Sequence, residues 1–280
     1  MKMKQFRFGI STTVDYTVEI EILFRLFSKY EFQFVSIGAD IKHHFFPNKN
    51  KFSDLIKMAE DYNLLIDSFH VPFGADYDLA NPIEKERLMA VDYVIKFLNF
   101  GAEFNIPIGV LHPHHYLKDT KENALSLATE SIKRILSNKP ENIKIAVENL
   151  PDARGSWIAD QLFNIFGSNE IGFCYDSSHE NMSGEPFHIL KKHYSRLMTC
   201  HLSDNHGSSD EHLVPGDGNI DWRGVSSYID KAESFSNILF EVGTGDKLSV
   251  PVEDYIKRTA QKAIEIFGDQ KSQADNSEFF

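Results

Sequence analysis

Nine residues of metal-ligating type stand at or just beyond the ends of six apolar, strand-like runs in this 280-residue chain. They are His70 in SFHVP, His112 in VLHPHH, Glu148 in IAVENLP, Asp176 and His179 in CYDSSH, His201 in CHLSDN, Asp210 and His212 in SDEHL, and Glu241 in LFEVG. Imidazole and carboxylate are ligands of zinc, manganese, magnesium and cobalt. A bound ion of that kind polarises a carbonyl or phosphoryl oxygen, and carboxylates beside it can take and return protons. Glu148 and Glu241 carry the most weight. Each directly follows an apolar run, where its charge is partly buried and needs a partner or a cation. A single histidine at a strand end is more often a hydrogen-bonded structural residue. Recurrence at one kind of position is what points to a single divalent-metal centre.

Asp210 and His212 are one residue apart, and in extended backbone alternate side chains face the same way. A plain solvated acidic loop is the competing reading of SSDEH. His114, His115, His206, Asp204 and Asn205 are near enough to orient ligands or touch substrate. Of these, His114, His206 and Asp204, together with Trp222, are expected as substrate contacts. In VPGDGNIDW (214–222), Gly216 and Gly218 permit a tight turn and Asp221 can cap a helix starting at Trp222. That stretch would form a backbone wall of the site with Trp222 beneath it. His43, His44, His188 and His193 read as ordinary exposed histidines on surface loops or helices.

Eight short apolar runs have the composition of strands: 6–12, 32–39, 64–71, 106–113, 143–150, 171–177, 197–204 and 237–243. Stretches with helical periodicity follow them at 18–30, 52–63, 85–105, 121–138, 156–166, 185–197, 222–234 and 252–267. Strict alternation with strands apolar on both faces implies a parallel sheet covered by helices. Eight such pairs, at a length close to the roughly 250 residues typical of the fold, predict an α/β chain forming a single (β/α)8 TIM barrel. An open doubly wound sheet would normally carry a GxGxxG turn after the first strand, and GISTTVDYT has none. In the barrel, strand ends converge on one mouth, and the scattered ligands become a site. The barrel is expected over residues 1–268, with 269–280 a polar, frayed tail.

Apolar content of 42% and charged content of 25% are ordinary for a globular chain. No apolar run reaches the roughly 18–20 residues that span a bilayer, and the N-terminus carries no signal-peptide pattern, so a cytoplasmic address is expected. Cys174 and Cys200 both lie within strand-like runs and read as reduced, buried core residues. A formal net charge of −12 argues against a partner built of nucleic-acid phosphates and for a small-molecule substrate. A homo-oligomer is compatible with this composition. Phe45 and Phe46 in DIKHHFFPNKNKF could act as stacking residues or as a hydrophobic rim over a small pocket.

VEN (147–149), DSSH (176–179), HLSDN (201–205), PGDGNIDW (215–222) and FE (240–241) together resemble the xylose isomerase-like TIM-barrel superfamily. It holds sugar isomerases and epimerases, inosose dehydratases and the endonuclease IV family. The resemblance implies that Glu148, Asp176, His201 and Glu241 hold an ion, with Glu148 and Glu241 as the catalytic acid–base pair of an isomerase or epimerase. In the endonuclease IV family further ligands hold two more zinc ions, and their positions match His70, His112, His179, Asp210 and His212. The expected cofactor is therefore a divalent metal (Mn, Zn, Mg or Co), as one to three ions. The leading expectation is isomerisation or epimerisation of a small polyhydroxylated substrate, with or without phosphate. Zinc-cluster phosphoester hydrolysis and a non-catalytic metal-binding barrel are the alternatives.

Overall fold

The computed structural model describes residues 4–115, 120–244 and 251–268. Its strands are β1 (Arg7–Ser11), β2 (Phe34–Ile37), β3 (Leu65–His70), β4 (Ile108–Leu111), β5 (Lys144–Glu148), β6 (Gly172–Asp176), β7 (Leu197–His201) and β8 (Asn237–Phe240). They pair in parallel in the order β7-β6-β5-β4-β3-β2-β1-β8. The two end strands also meet. Leu202 donates its amide to the Leu239 carbonyl at 3.0 Å, and Glu241 donates back to the Leu202 carbonyl at 3.0 Å. The sheet therefore closes into a (β/α)8 barrel, and the seam leaves no open edge. Every residue of β2, β4 and β6 is buried, as expected for strands covered on both faces.

Ten α-helices accompany the strands among the described residues: α1 (Ile20–Lys29), α2 (Ile41–His44), α3 (Lys49–Asp61), α4 (Glu84–Glu103), α5 (Lys121–Asn138), α6 (Ala153–Ile165), α7 (Ser177–Met182), α8 (His188–His193), α9 (Trp222–Lys231) and α10 (Val252–Phe267). The expected helices over 121–138 and 252–267 are found with those bounds. Local chemistry sets several ends. Thr120, Asp152 and Asp221 accept the first free amides of α5, α6 and α9. Asn63 and Asn105, just past α3 and α4, adopt the left-handed conformation that ends a helix. The short helices α2 and α7 are not visible as periodicity because each has less than two turns.

The histidine expectations require correction. His43 and His44 are buried, at 2% and 3% exposure. α2 turns inward, which sets His43 on the Tyr16 ring at 4.8 Å and His44 edge-on to Phe97 at 5.0 Å. His193 is also buried, its Nε2 lying 2.7 Å from Asp160 Oδ1. Only His188 of the four stays substantially exposed. Phe46 is not a rim residue, since it packs among Tyr93, Phe97 and Phe100 with ring centroids 5.1–5.4 Å away. Cys174 and Cys200 are free and buried. Among the described residues, no helix is long and apolar enough to cross a membrane. The expected tail over 269–280 lies outside the described residues.

Candidate metal centre

Strand geometry delivers the candidate ligands. His70, Glu148, Asp176 and His201 are the last residues of β3, β5, β6 and β7, while His112 and Glu241 each follow the last residue of β4 and β8. All six lie at the C-terminal mouth of the barrel. Asp176 also caps α7, accepting the His179 amide at 2.6 Å, so the short helix sets the third residue past the strand beside the same mouth.

Glu148 is the hub. Its Oε2 lies 3.1 Å from His70 Nε2 and 3.3 Å from His112 Nε2, and its Oε1 lies 3.3 Å from both His179 Nδ1 and His201 Nδ1. His201 Nδ1 is also 3.0 Å from Glu241 Oε2. Ligand atoms of Glu148, Asp176, His201 and Glu241 all fall within 4.8 Å of one another, as do those of His70, His112 and Glu148. A third grouping forms around Asp210, whose Oδ2 is 3.3 Å from His179 Nε2 and 3.0 Å from His212 Nε2. The expected Asp-x-His pair thus converges, but not through extended backbone. His212 has φ of 49°, and this left-handed residue turns the imidazole back toward Asp210 while its Nδ1 donates to the Glu241 carbonyl at 2.8 Å.

The electrostatics follow from packing acids and imidazoles together out of water. Burial drives Asp176 up to about 7, against the pull of His179 and with the push of Glu148, Asp210 and Glu241. Burial opposes ionisation of Glu148 too, yet His201 and His112 hold its carboxyl well below the usual range. For His212 burial works against the proton, but Asp210 carries the imidazole up to about 10. His112 goes the other way, pushed down to about 4 by burial.

The donor set fits a divalent ion. Asp176 Oδ2 and both ring nitrogens of His201 are buried without an aligned hydrogen-bond partner, a costly state for polar atoms, and a cation among the carboxylates would relieve Asp176 Oδ2 and one nitrogen of His201. His70, His179 and His212 each fix Nδ1 on a backbone carbonyl and turn Nε2 toward a carboxylate, the arrangement by which ligating histidines are oriented.

The expected substrate contacts divide. His114 is buried, carries no partner on either ring nitrogen, and lines a cleft of about 1000 Å³ above the ligands. Asp204 and Trp222 do not line it. Asp204 is 0% exposed and accepts from the amides of Asn205, Gly216 and Ile220 and from Trp222 Nε1 at 2.7–3.1 Å. Its oxygens are consumed in holding the 214–222 turn, where a Cβ on Gly218 would come within 2.3 Å of the Asn205 carbonyl. His206 lies on the surface, paired with Glu211 at 2.9 Å. Residues not foreseen as wall are Tyr16, Phe73, Tyr77 and Tyr93. Phe73 stacks on His112 at 4.4 Å, and its place three residues past His70 was the available signal. Cys174 is a buried core residue that also lies beside Glu148 and His201.

A family model described as xylose isomerase-like TIM barrel matches residues 24–265. An uncharacterized protein of Methanocaldococcus jannaschii is 25% identical over 231 residues, 77% of this chain and 76% of its own length. A protein named "Probable endonuclease 4" from Mycoplasma capricolum is 24% identical over 218 residues, 70% of this chain and 71% of its own. Among solved structures, a D-tagatose 3-epimerase-like protein superposes with a TM-score of 0.76 at 21% identity. That match covers 95% of this chain and 99% of the other, and it is a likeness of fold.

Proposed function

Because the chain belongs to the xylose isomerase-like TIM-barrel family, we propose that it is a divalent-metal isomerase or epimerase of a small polyhydroxylated substrate. The observation that carries this reading is the group Glu148, Asp176, His201 and Glu241, one ligand from each of four successive strand ends. A divalent ion held by them would act as a Lewis acid toward a hydroxy-carbonyl unit. Glu148 and Glu241 approach that unit from β5 and β8. One carboxylate takes the proton from the carbon beside the carbonyl, and the other returns a proton from its own side. Return to the same carbon from the far face inverts it; return to the neighbouring carbon isomerises the sugar. Asp40, Asp152 and Glu211 also line the cleft, and their charge disfavours anionic substrates such as a phosphodiester chain.

A second reading rests on a separate observation. The groupings His70–His112–Glu148 and His179–Asp210–His212 would supply two further positions around Glu148, and several ions suit phosphoester hydrolysis by stabilising both attacking and leaving oxygens. Metal content separates the two. Protein purified without added metal and carrying about three zinc per chain favours the hydrolase. A single exchangeable manganese, magnesium or cobalt, with turnover of ketoses or inosose-like compounds and not of phosphodiesters, is the result expected here. Absence of retained metal, with no gain in thermal stability on adding Mn²⁺ or Zn²⁺, would support a non-catalytic barrel.

A further inference from the structure

His201 is oriented differently from the other three histidines with a defined backbone anchor. His70, His179 and His212 donate Nδ1–H to the carbonyls of Val71, Asn149 and Glu241 at 2.7, 2.8 and 2.8 Å. His201 instead turns Nδ1 toward the carboxylates, 3.3 Å from Glu148 Oε1 and 3.0 Å from Glu241 Oε2. With Nδ1 facing the ion position, the ring must carry its proton on Nε2. A ligating histidine almost always passes that proton to an acceptor, which fixes the tautomer and the ring plane. His201 is 0% exposed, and Nε2 meets neither a carbonyl nor a carboxylate.

Cys174 is the residue set against this ring. It stands two residues before Asp176 on β6, so both side chains point into the barrel, with Cys174 one layer deeper. It is the register partner of Glu148 across the β5–β6 pair. Its Sγ, a Glu148 oxygen and a His201 ring nitrogen lie within 4.8 Å of one another, and the thiol is completely buried. We propose that Cys174 is a positioning residue for the metal centre, its sulfur accepting the Nε2 proton of His201 while Nδ1 faces the ion. The inference rests on the metal reading above. Sulfur is a weak acceptor, so the ring is held by packing and by this one contact rather than by a strong carbonyl bond. The short apolar layer of Ile108, Val110 and Ala146 around Cys174 supplies that packing.

The test uses the metal-free full chain, Co²⁺ as the probe, and the variants Cys174→Val and Cys174→Ser. Valine keeps the volume and removes the acceptor; serine keeps an acceptor in a slightly smaller side chain. The expected result is Co²⁺ affinity lowered about 10- to 100-fold in Cys174→Val and restored most of the way in Cys174→Ser. A role in packing alone would rank the variants the other way, since valine fills the layer better. Cys174→Val binding Co²⁺ as tightly as the parent overturns the proposal and leaves the metal centre standing. An intense sulfur-to-cobalt charge-transfer band in the parent, lost in Cys174→Ser, overturns it differently, by making the sulfur a ligand. A parent chain that takes up no Co²⁺ overturns the centre itself and this inference with it.

Discussion

Glu241 is a buried carboxylate whose ionised form is held by His201 despite the cost of burial. It is also among the residues through which an ion could be bound, so its charge would serve two tasks. Glu241→Gln keeps the shape and removes the base. Turnover of an identified substrate is expected to fall by about 10²- to 10⁴-fold, with initial rates and metal content measured on the same sample. A full rate at unchanged metal content would reject the acid–base assignment. Asp204 illustrates the opposite case at this scale. It has the type and the sequence neighbourhood of a site residue, but the four donors that surround it make it the anchor of a turn.

Elements place these residues by where each strand stops. A strand that ends one residue later would turn its last side chain to the other face, because successive residues alternate. The opposite ends of the strands carry a different polar group. Asp67, near the start of β3, accepts from Asn237 Nδ2 at 3.1 Å with one oxygen, while the other oxygen is buried without a partner. Burial raises its pKa above the ordinary value, and Asn237 and Arg7 only partly counter it. The folded chain therefore holds this proton more tightly than the unfolded chain does. Its contribution is most favourable below the unfolded value near 3.8 and turns into a penalty as pH rises through the folded pKa. Asp67→Asn removes the penalty. It should stabilise the protein by about 1 kcal/mol near neutral pH, with the difference closing as the pH approaches 3.8. Urea unfolding at the two pH values checks this, and a gap that does not shrink with acid would show that ionisation of Asp67 is not its source.

For the whole molecule, the candidate ligands come from the ends of six consecutive strands, the helix after β6 and the loop after β7, so a bound ion would tie the greater part of the barrel together. Any species that binds the folded chain alone stabilises it, by about 2.7 kcal/mol at a concentration of 100 times its dissociation constant. For a chain of this size that corresponds to a melting temperature higher by roughly 5–10 °C. Thermal melts with chelator, and then with excess Zn²⁺ or Mn²⁺, should differ by this amount. Coincident melts would make the nine side chains an ion-pair network without a metal.

Alternation of apolar runs with helical periodicity was enough to specify eight strand–helix pairs and hence a barrel, because each period follows from the geometry of a single element. The same local pattern marked Glu148, Asp176, His201 and Glu241, since a charge at the end of an apolar run is conspicuous in one dimension. Contacts between elements carried no such mark. The burial of His43 and His44 is not legible because α2 has a single turn, that of Phe46 because it lies just past α2 in irregular chain, and the role of Asp204 because its donors come from residues up to 18 positions away. Convergence of Asp210 and His212 depended on a left-handed residue, and the place of Cys174 beside His201 depended on the register between β5, β6 and β7. The sequence alone thus determined which residue types reach the mouth of the barrel. Which atoms meet there was decided by the tertiary structure, because distances across a closed sheet are set by strand register and loop conformation, and neither is written in the spacing of residues along the chain.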